Sequence, residues 1–355
     1  MLRINKDLMT PKERMLAFGL GKPVDRIPCA PSMGVTLSSF IGQNVCEYYH
    51  SAELIVELEI ALFKKFRHDS VGVGLSREIA EAMGSRVIYP QNDISYVAET
   101  PIKDINDTAK LSPLNPYKDG KIPLSIKALK KLQIALSKEV NVGYSIPGPL
   151  TTASDLVGTE ELLKSMLRNP VKVHELLEIV IESNYRIIDI IADMDIVFRI
   201  ADPLSSSSLI SKKLFQEFSK PYLKKCVDRM KIKGNKGTSF HVCGKSKPIW
   251  DEIVEIGVMS LSIDNIEDME EAKKAVGNKT CLVGNVSPVD IMRYGNYEDV
   301  IRESKQCIKK AYDSPKGFIL GTGCQIPINS PVENIQALMD TVRSFGVYPV
   351  RPYLW

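Results

Sequence analysis

Four histidines and seven cysteines are the soft metal ligands and nucleophiles available to this chain. Two of them stand two residues apart in Ser239-Phe240-His241-Val242-Cys243-Gly244. The run reads as a strand broken by Gly244, and strand residues two apart project to the same side. His241 and Cys243 are therefore expected to leave one strand end together. A third soft ligand, Cys324, follows Phe318-Ile319-Leu320-Gly321-Thr322-Gly323, a second strand-like run ending in glycine. One imidazole and two thiolates on strand ends are a donor set for zinc with an open fourth position.

A plainer reading competes with this one, because an isolated cysteine is usually a small buried hydrophobe. Cys29, Cys46, Cys226 and Cys307 are read that way, and Cys281 is expected to pack at the start of a strand. His50, His68 and His174 lie in or beside helical patterns and are read as surface or packing residues. Three polar residues share the strand-end position with the metal candidates. Asp264, in Ser262-Ile263-Asp264-Asn265, is a candidate to orient His241 or to fill the fourth zinc position. Asp202, in Ala201-Asp202-Pro203, is a candidate for substrate or a supporting contact. Capping a helix after a strand accounts for either aspartate equally well. Asn285 ends another strand after a glycine and is a candidate contact to substrate or cofactor. The run Ser205-Ser206-Ser207-Ser208 reads as a polar loop and cap.

These residues need a frame of strands that all open at one end. Eight strand candidates begin near Ile27, Ser70, Val142, Ile196, Thr238, Met259, Cys281 and Phe318. Patterns of helical period lie between them, at 52–66, 125–137, 159–167, 171–192, 213–231, 270–276, 297–311 and 331–345. Strand–helix alternation implies parallel pairing with right-handed crossovers, and eight units imply a closed (β/α)8 TIM-type barrel. Active sites of such barrels sit at the C-terminal strand ends. A doubly wound sheet would want a glycine-rich phosphate turn after the first strand, and Ala30-Pro31-Ser32-Met33-Gly34 is not one. Residues 1–23 read as an N-terminal helical extension, with Thr10-Pro11-Lys12-Glu13 as its capping box. Arg86–Pro90 and Ile94–Ala98 read as a small hairpin inserted after the second strand. No linker or repeat divides residues 1–355, which are expected to form one barrel domain.

Composition narrows the function classes. Lys plus Arg total 46 against 43 for Asp plus Glu, a net +3 over 355 residues, which argues against a dedicated nucleic-acid binder. No apolar run reaches the roughly 18 residues of a membrane helix. Met1–Asp7 lacks the apolar core of a secretory signal. A reducing cytoplasm is the expected compartment, where cysteines are thiols, ligands or nucleophiles.

At these residues the sequence resembles the uroporphyrinogen decarboxylase superfamily, most of all its zinc-dependent methylcobalamin:coenzyme M methyltransferases and their corrinoid-linked relatives. The resemblance runs through Met9–Arg14, Val24–Pro28, Gly148–Thr151, Ala201–Pro203, Leu209–Ser211 to Phe218, Pro221-Tyr222 and Gly284–Val286. Its most specific part is His-x-Cys…Cys, landing on His241, Cys243 and Cys324. The resemblance implies a (β/α)8 barrel that moves a methyl group from a methyl-corrinoid protein to a thiol such as coenzyme M, or to tetrahydrofolate. It also implies Zn²⁺ as the group that deprotonates the acceptor thiol.

The corrinoid is expected on a partner protein, because the cobalamin-binding pattern D-x-H-x-x-G is absent from this chain. The decarboxylase branch fits less well. It carries an Arg-Gln-Ala-Gly-Arg-Tyr stretch after the first strand for porphyrinogen carboxylates, and Ala30–Val35 has no arginine. A tetrapyrrole lyase and a non-catalytic barrel that binds a corrinoid protein are the alternatives.

Overall fold

The computed structural model describes residues 3–234 and 237–354. Seven parallel strands form one curled sheet in the order β1 (Val71–Val73), β4 (Val142–Pro147), β5 (Val197–Ala201), β6 (Thr238–His241), β7 (Ser260–Ser262), β8 (Cys281–Val286) and β9 (Phe318–Thr322). Each strand pairs with the next in sequence, the order of a barrel wall and not of a doubly wound sheet. The expected hairpin is present as antiparallel β2 (Arg86–Ile88) and β3 (Tyr96–Glu99).

The expected first strand is not a strand. Residues 28–30 make one parallel bridge, Cys29 to Leu320 of β9, with Ala30 N–H donating to Leu320 O and Leu320 N–H to Pro28 O. On the other side Asp69 N–H donates to Cys29 O, just before β1. This short stave closes the wall between β9 and β1. Pro28 and Pro31 flank it and have no N–H to extend a ladder, which is why the pairing stops at one bridge.

Buried charges hold this stave in place. Arg14, on the Thr10-capped helix Pro11–Gly19, pairs with Asp25 and Asp69 at 2.6 Å each. Arg26 reaches Asp69 at 2.8 Å and Asp7 at 2.7 Å, and Asp69 also accepts the Cys29 N–H at 2.7 Å. The N-terminal extension is thus tied to the barrel through Asp69. Burial works to raise Asp25, but Arg14 and the Leu8 and Met9 N–H groups hold it at about 2.

Helices Ala52–Phe66 and Tyr297–Ala311 form over the residues their apolar period marks. The pattern at 213–231 is interrupted. It is a short turn Lys212–Leu214, a π-helical segment Phe215–Ser219 and a helix Lys220–Ile232. Pro221 has no N–H for the carbonyl one turn back, so the ladder widens before it. Among the described residues no helix is long and apolar enough to cross a membrane.

Candidate metal centre

β6 ends at His241, and β5, β6 and β7 bring Ala201, His241 and Ser262 into register. All three lie on the inner face at the C-terminal end. After β6 the chain turns at Gly244, whose φ is +77°, and a side chain there would meet Ser208 Oγ at 2.8 Å. Cys324 follows β9 through Gly323, where an added Cβ would lie 2.4 Å from the Asn265 backbone nitrogen. These two close approaches let the β5, β6, β7 and β9 loops crowd around one point. Thr322 Oγ1 donates to Cys324 O at 2.6 Å and accepts the Ser32 N–H at 3.2 Å, fastening the Cys324 loop to the first stave.

The structure brings His241, Cys243 and Cys324 together. Their candidate donor atoms all lie within 4.8 Å of one another. His241 Nε2 is 3.1 Å from Cys243 Sγ, and the two sulfurs are 3.5 Å apart. All seven cysteines are free thiols, and each of these two is partly open. Contact with Cys243, together with His241, holds Cys324 below the usual thiol range despite burial. The same contact, with burial, pushes Cys243 up. A metal ion takes cysteine as thiolate, so binding here displaces the thiol protons. Two sulfurs and one imidazole nitrogen on two anchored strand ends fit Zn²⁺, and the partly open mouth leaves room for a fourth ligand.

The partner that sets the imidazole differs from expectation. His241 Nδ1 lies 3.0 Å from Ser262 Oγ, which fixes the ring with Nε2 toward the sulfurs. Asp264 does not contact His241. Its Oδ2 accepts the Gly244 N–H at 2.7 Å and its Oδ1 the Ile266 N–H at 3.1 Å, so it clamps the loop that carries Cys243. Glu267 Oε1 adds to the clamp by accepting N–H from Ser246 and Lys247. Asn285 Nδ2 donates to Asp264 O and Glu267 O, while Cys307 donates to its Oδ1. Its side chain is spent on holding this same loop.

Asp202 is fully buried. Its Oδ1 accepts Thr151 N–H at 2.9 Å and the Thr151 hydroxyl at 2.5 Å, at the start of helix Pro149–Val157. Burial pushes its carboxyl up, and Oδ2 has no partner among the described residues. Ser206 and Ser208 bond to the backbone of Lys245, beside the metal loop. The other histidines behave as side chains of the frame. His174 contacts Tyr222, His50 bonds back to Cys46 O, and His68 packs against Phe63.

Sequence reasoning missed Ser262 and Glu267. Ser262 carried a signal, since it lies two residues before Asp264 in Ser260-Leu261-Ser262, a strand that alternates polar and apolar.

Comparison with known proteins agrees with this geometry. The uroporphyrinogen decarboxylase (URO-D) family model matches residues 10–345. The methylcobamide:CoM methyltransferase MtaA of Methanosarcina barkeri is 29% identical over 338 residues, covering 93% of this chain and 96% of that one. The methylcobamide:CoM methyltransferase MtbA of Methanosarcina acetivorans is 27% identical, covering 95% of this chain and 98% of its own length. A solved methyltransferase from Methanosarcina mazei superposes with a TM-score of 0.85 at 26% identity, over 95% of this chain and 99% of that one. The chain belongs to the uroporphyrinogen decarboxylase family, and within it is a methyltransferase.

Proposed function

We propose that this chain moves a methyl group from a methylated corrinoid, carried on a separate protein, to the sulfur of a small thiol, at a zinc ion held by His241, Cys243 and Cys324. The observation that carries the reading is the convergence of these three donors at the open end of the barrel. The printed activity of the MtaA and MtbA relatives supports it. When bound there, Zn²⁺ would hold the acceptor sulfur as a thiolate near neutral pH, where a free thiol with a pKa near 8.5 is mostly protonated.

The chain's own residues do the rest. Two protein thiolates and a neutral imidazole formally cancel the charge of the ion, so an acceptor sulfur keeps its nucleophilic charge. Ser262 fixes the ring of His241. Asp264, Glu267 and Asn285 set the height of Cys243 by pinning the loop behind it. Asp202 anchors the helix beside the mouth through Thr151. A thiol suits this site better than tetrahydrofolate, whose N5–H must give its proton to a base as the methyl group arrives. Asp264, the acid of the adjoining loop, spends both oxygens on backbone N–H groups.

A corrinoid protein must bring a large, mostly apolar cofactor to the mouth. Leu209, Ile266, Val289 and Tyr294 stand exposed on the loops that follow β5, β7 and β8 and would form an apolar rim for it. We infer a reducing compartment, the cytoplasm, as the setting in which two such close thiols stay free to bind a metal.

The test is demethylation of methylcobalamin by the zinc-loaded protein, without oxygen, in the presence of a thiol. Loss of the cobalt–methyl absorbance with formation of the methyl thioether is expected, and Cys324→Ala should abolish it. No turnover with any thiol would overturn the reading.

A further inference from the structure

The seven thiols of this chain fall into two groups. Cys29, Cys226, Cys281 and Cys307 are buried, whereas Cys46, Cys243 and Cys324 keep part of their surface open. Cys46 stands beside His50, with 3.8 Å between Sγ and Nδ1. Among the described residues Cys243 and Cys324 are the one pair of sulfurs in contact, 3.5 Å apart although 81 residues separate them in the chain.

A disulfide bond is about 2.05 Å long, so these sulfurs would have to approach by about 1.5 Å between them. Turning either side chain about its Cα–Cβ bond moves a sulfur on that scale and leaves the backbone where it is. Both backbones are held. Asp264 and Glu267 accept the N–H groups of Gly244, Ser246 and Lys247, directly after Cys243. Thr322 donates to the carbonyl of Cys324 and accepts the Ser32 N–H. Two thiols kept together in this way react with each other as parts of one molecule, and the entropy of bringing them together is already spent. A small reagent that reaches the partly open mouth meets both.

The two uses of these sulfurs exclude each other. A metal takes cysteine as thiolate, and a disulfide sulfur is no longer one. Closure of the pair would leave His241 as the single donor of the three.

We propose that, when no metal is bound, Cys243 and Cys324 are a site of thiol–disulfide exchange with small organic disulfides, and that their closure bars zinc from the centre. The thiolate of one cysteine attacks a sulfur of the small disulfide. A protein–small-molecule disulfide forms, the original S–S bond breaks, and the first small thiol leaves with the proton that the cysteine gave up. The second cysteine then attacks the protein sulfur of that mixed disulfide. The Cys243–Cys324 bond forms and the second small thiol leaves, again with the proton of the attacking cysteine. Two protein thiols are oxidised, one small disulfide is reduced to two thiols, and no other oxidant enters. An excess of small thiol runs the same steps backwards and reopens the centre. This goes beyond methyl transfer. It stands on the contact of two sulfurs and needs neither a corrinoid nor a methyl acceptor.

The full-length protein, stripped of metal without oxygen, is incubated with hydroxyethyl disulfide, alkylated, and mapped by mass spectrometry. The wild type should yield a Cys243–Cys324 cross-linked peptide and no lasting hydroxyethylthio adduct at either position. Zinc uptake should fall at least about 10-fold and return after dithiothreitol. Cys243→Ser and Cys324→Ser each leave one thiol of the pair, so each should stop at the mixed disulfide. Cys46→Ser removes the other partly open thiol and should close as the wild type does. Should the stripped protein lose its fold, the disulfide is added to the zinc-loaded protein, where zinc release to a chromophoric chelator must rise with disulfide concentration. Stable adducts without a cross-link, no reaction at either cysteine, or cross-linked protein that still takes up zinc would overturn the proposal. Zinc loaded beforehand should slow closure at least about 10-fold. Closure at the same rate with and without zinc would place the metal elsewhere, and the zinc reading would fall while the exchange site stands.

Discussion

Replacing Ser262 with alanine removes one atom beside the metal donors and leaves the donors themselves intact. The Ser262 Oγ to His241 Nδ1 contact is 3.0 Å long, and β6–β7 register brings the two residues face to face. A hydrogen bond of this kind contributes about 0.5–1.5 kcal/mol net, so losing it alone is worth up to about 10-fold in an equilibrium constant. Freeing the ring adds to this, because Nε2 must point at Cys243 and Cys324 for the imidazole to donate. Outer partners of zinc-bound histidines are worth about 10- to 100-fold in metal affinity. Zinc dissociation constants of the wild type and Ser262→Ala, from competition with a chromophoric chelator, should therefore differ by about 10-fold or more. Ser262→Thr keeps the hydroxyl and should recover most of the affinity. A change under about 2-fold in Ser262→Ala would refute the claim that this hydroxyl orients the ligand.

Other parts of the structure give further expectations. Glu78 is buried, accepts hydrogen bonds from Tyr144 and Ser125, and is raised by burial to about 7. Its folded pKa lies above its unfolded value of 4.5, so it costs stability as pH rises from 4.5 toward 7 and no further above that. Glu78→Gln should gain about 2–3 kcal/mol over wild type at pH 8 and nothing at pH 4, read by urea unfolding. Gly323→Ala pushes a methyl group against the Asn265 backbone, so the Cys324 loop must shift. Zinc affinity should fall while far-ultraviolet circular dichroism is kept. Charging the rim with Ile266→Asp and Tyr294→Asp should slow methyl transfer from a corrinoid protein and from free methylcobalamin at least about 10-fold each, with zinc content unchanged.

Much of this site is visible in the chain before folding. His241 and Cys243 share a face because strand residues alternate, and Cys324 was placed by counting to the end of the last strand-like run. Those are local rules, and the helices at 52–66 and 297–311 obey them as well. What local rules leave open is which residues on different strands face each other. Ser262 and Asp264 are two apart and both polar, and only the register of β6 against β7 gives the imidazole to Ser262 and the Gly244 N–H to Asp264. Asn285 looked free for a ligand, yet the fold turns its amide onto the neighbouring loop. The first stave misled in another way. Ile27–Gly34 has β-forming residues, but its prolines withhold the N–H groups that a ladder requires, and one bridge is all that forms.

The central claim is that a metal ion joins His241, Cys243 and Cys324 and receives the acceptor's sulfur. Zinc-edge X-ray absorption of the loaded protein, taken with and without a thiol acceptor, reads this directly. The account predicts two sulfurs at about 2.3 Å and one imidazole nitrogen at about 2.0 Å in the resting protein, with a third sulfur at the same distance once the thiol is added. A sulfur count that stays at two after the thiol binds, or a resting site with fewer than two sulfurs, would contradict it.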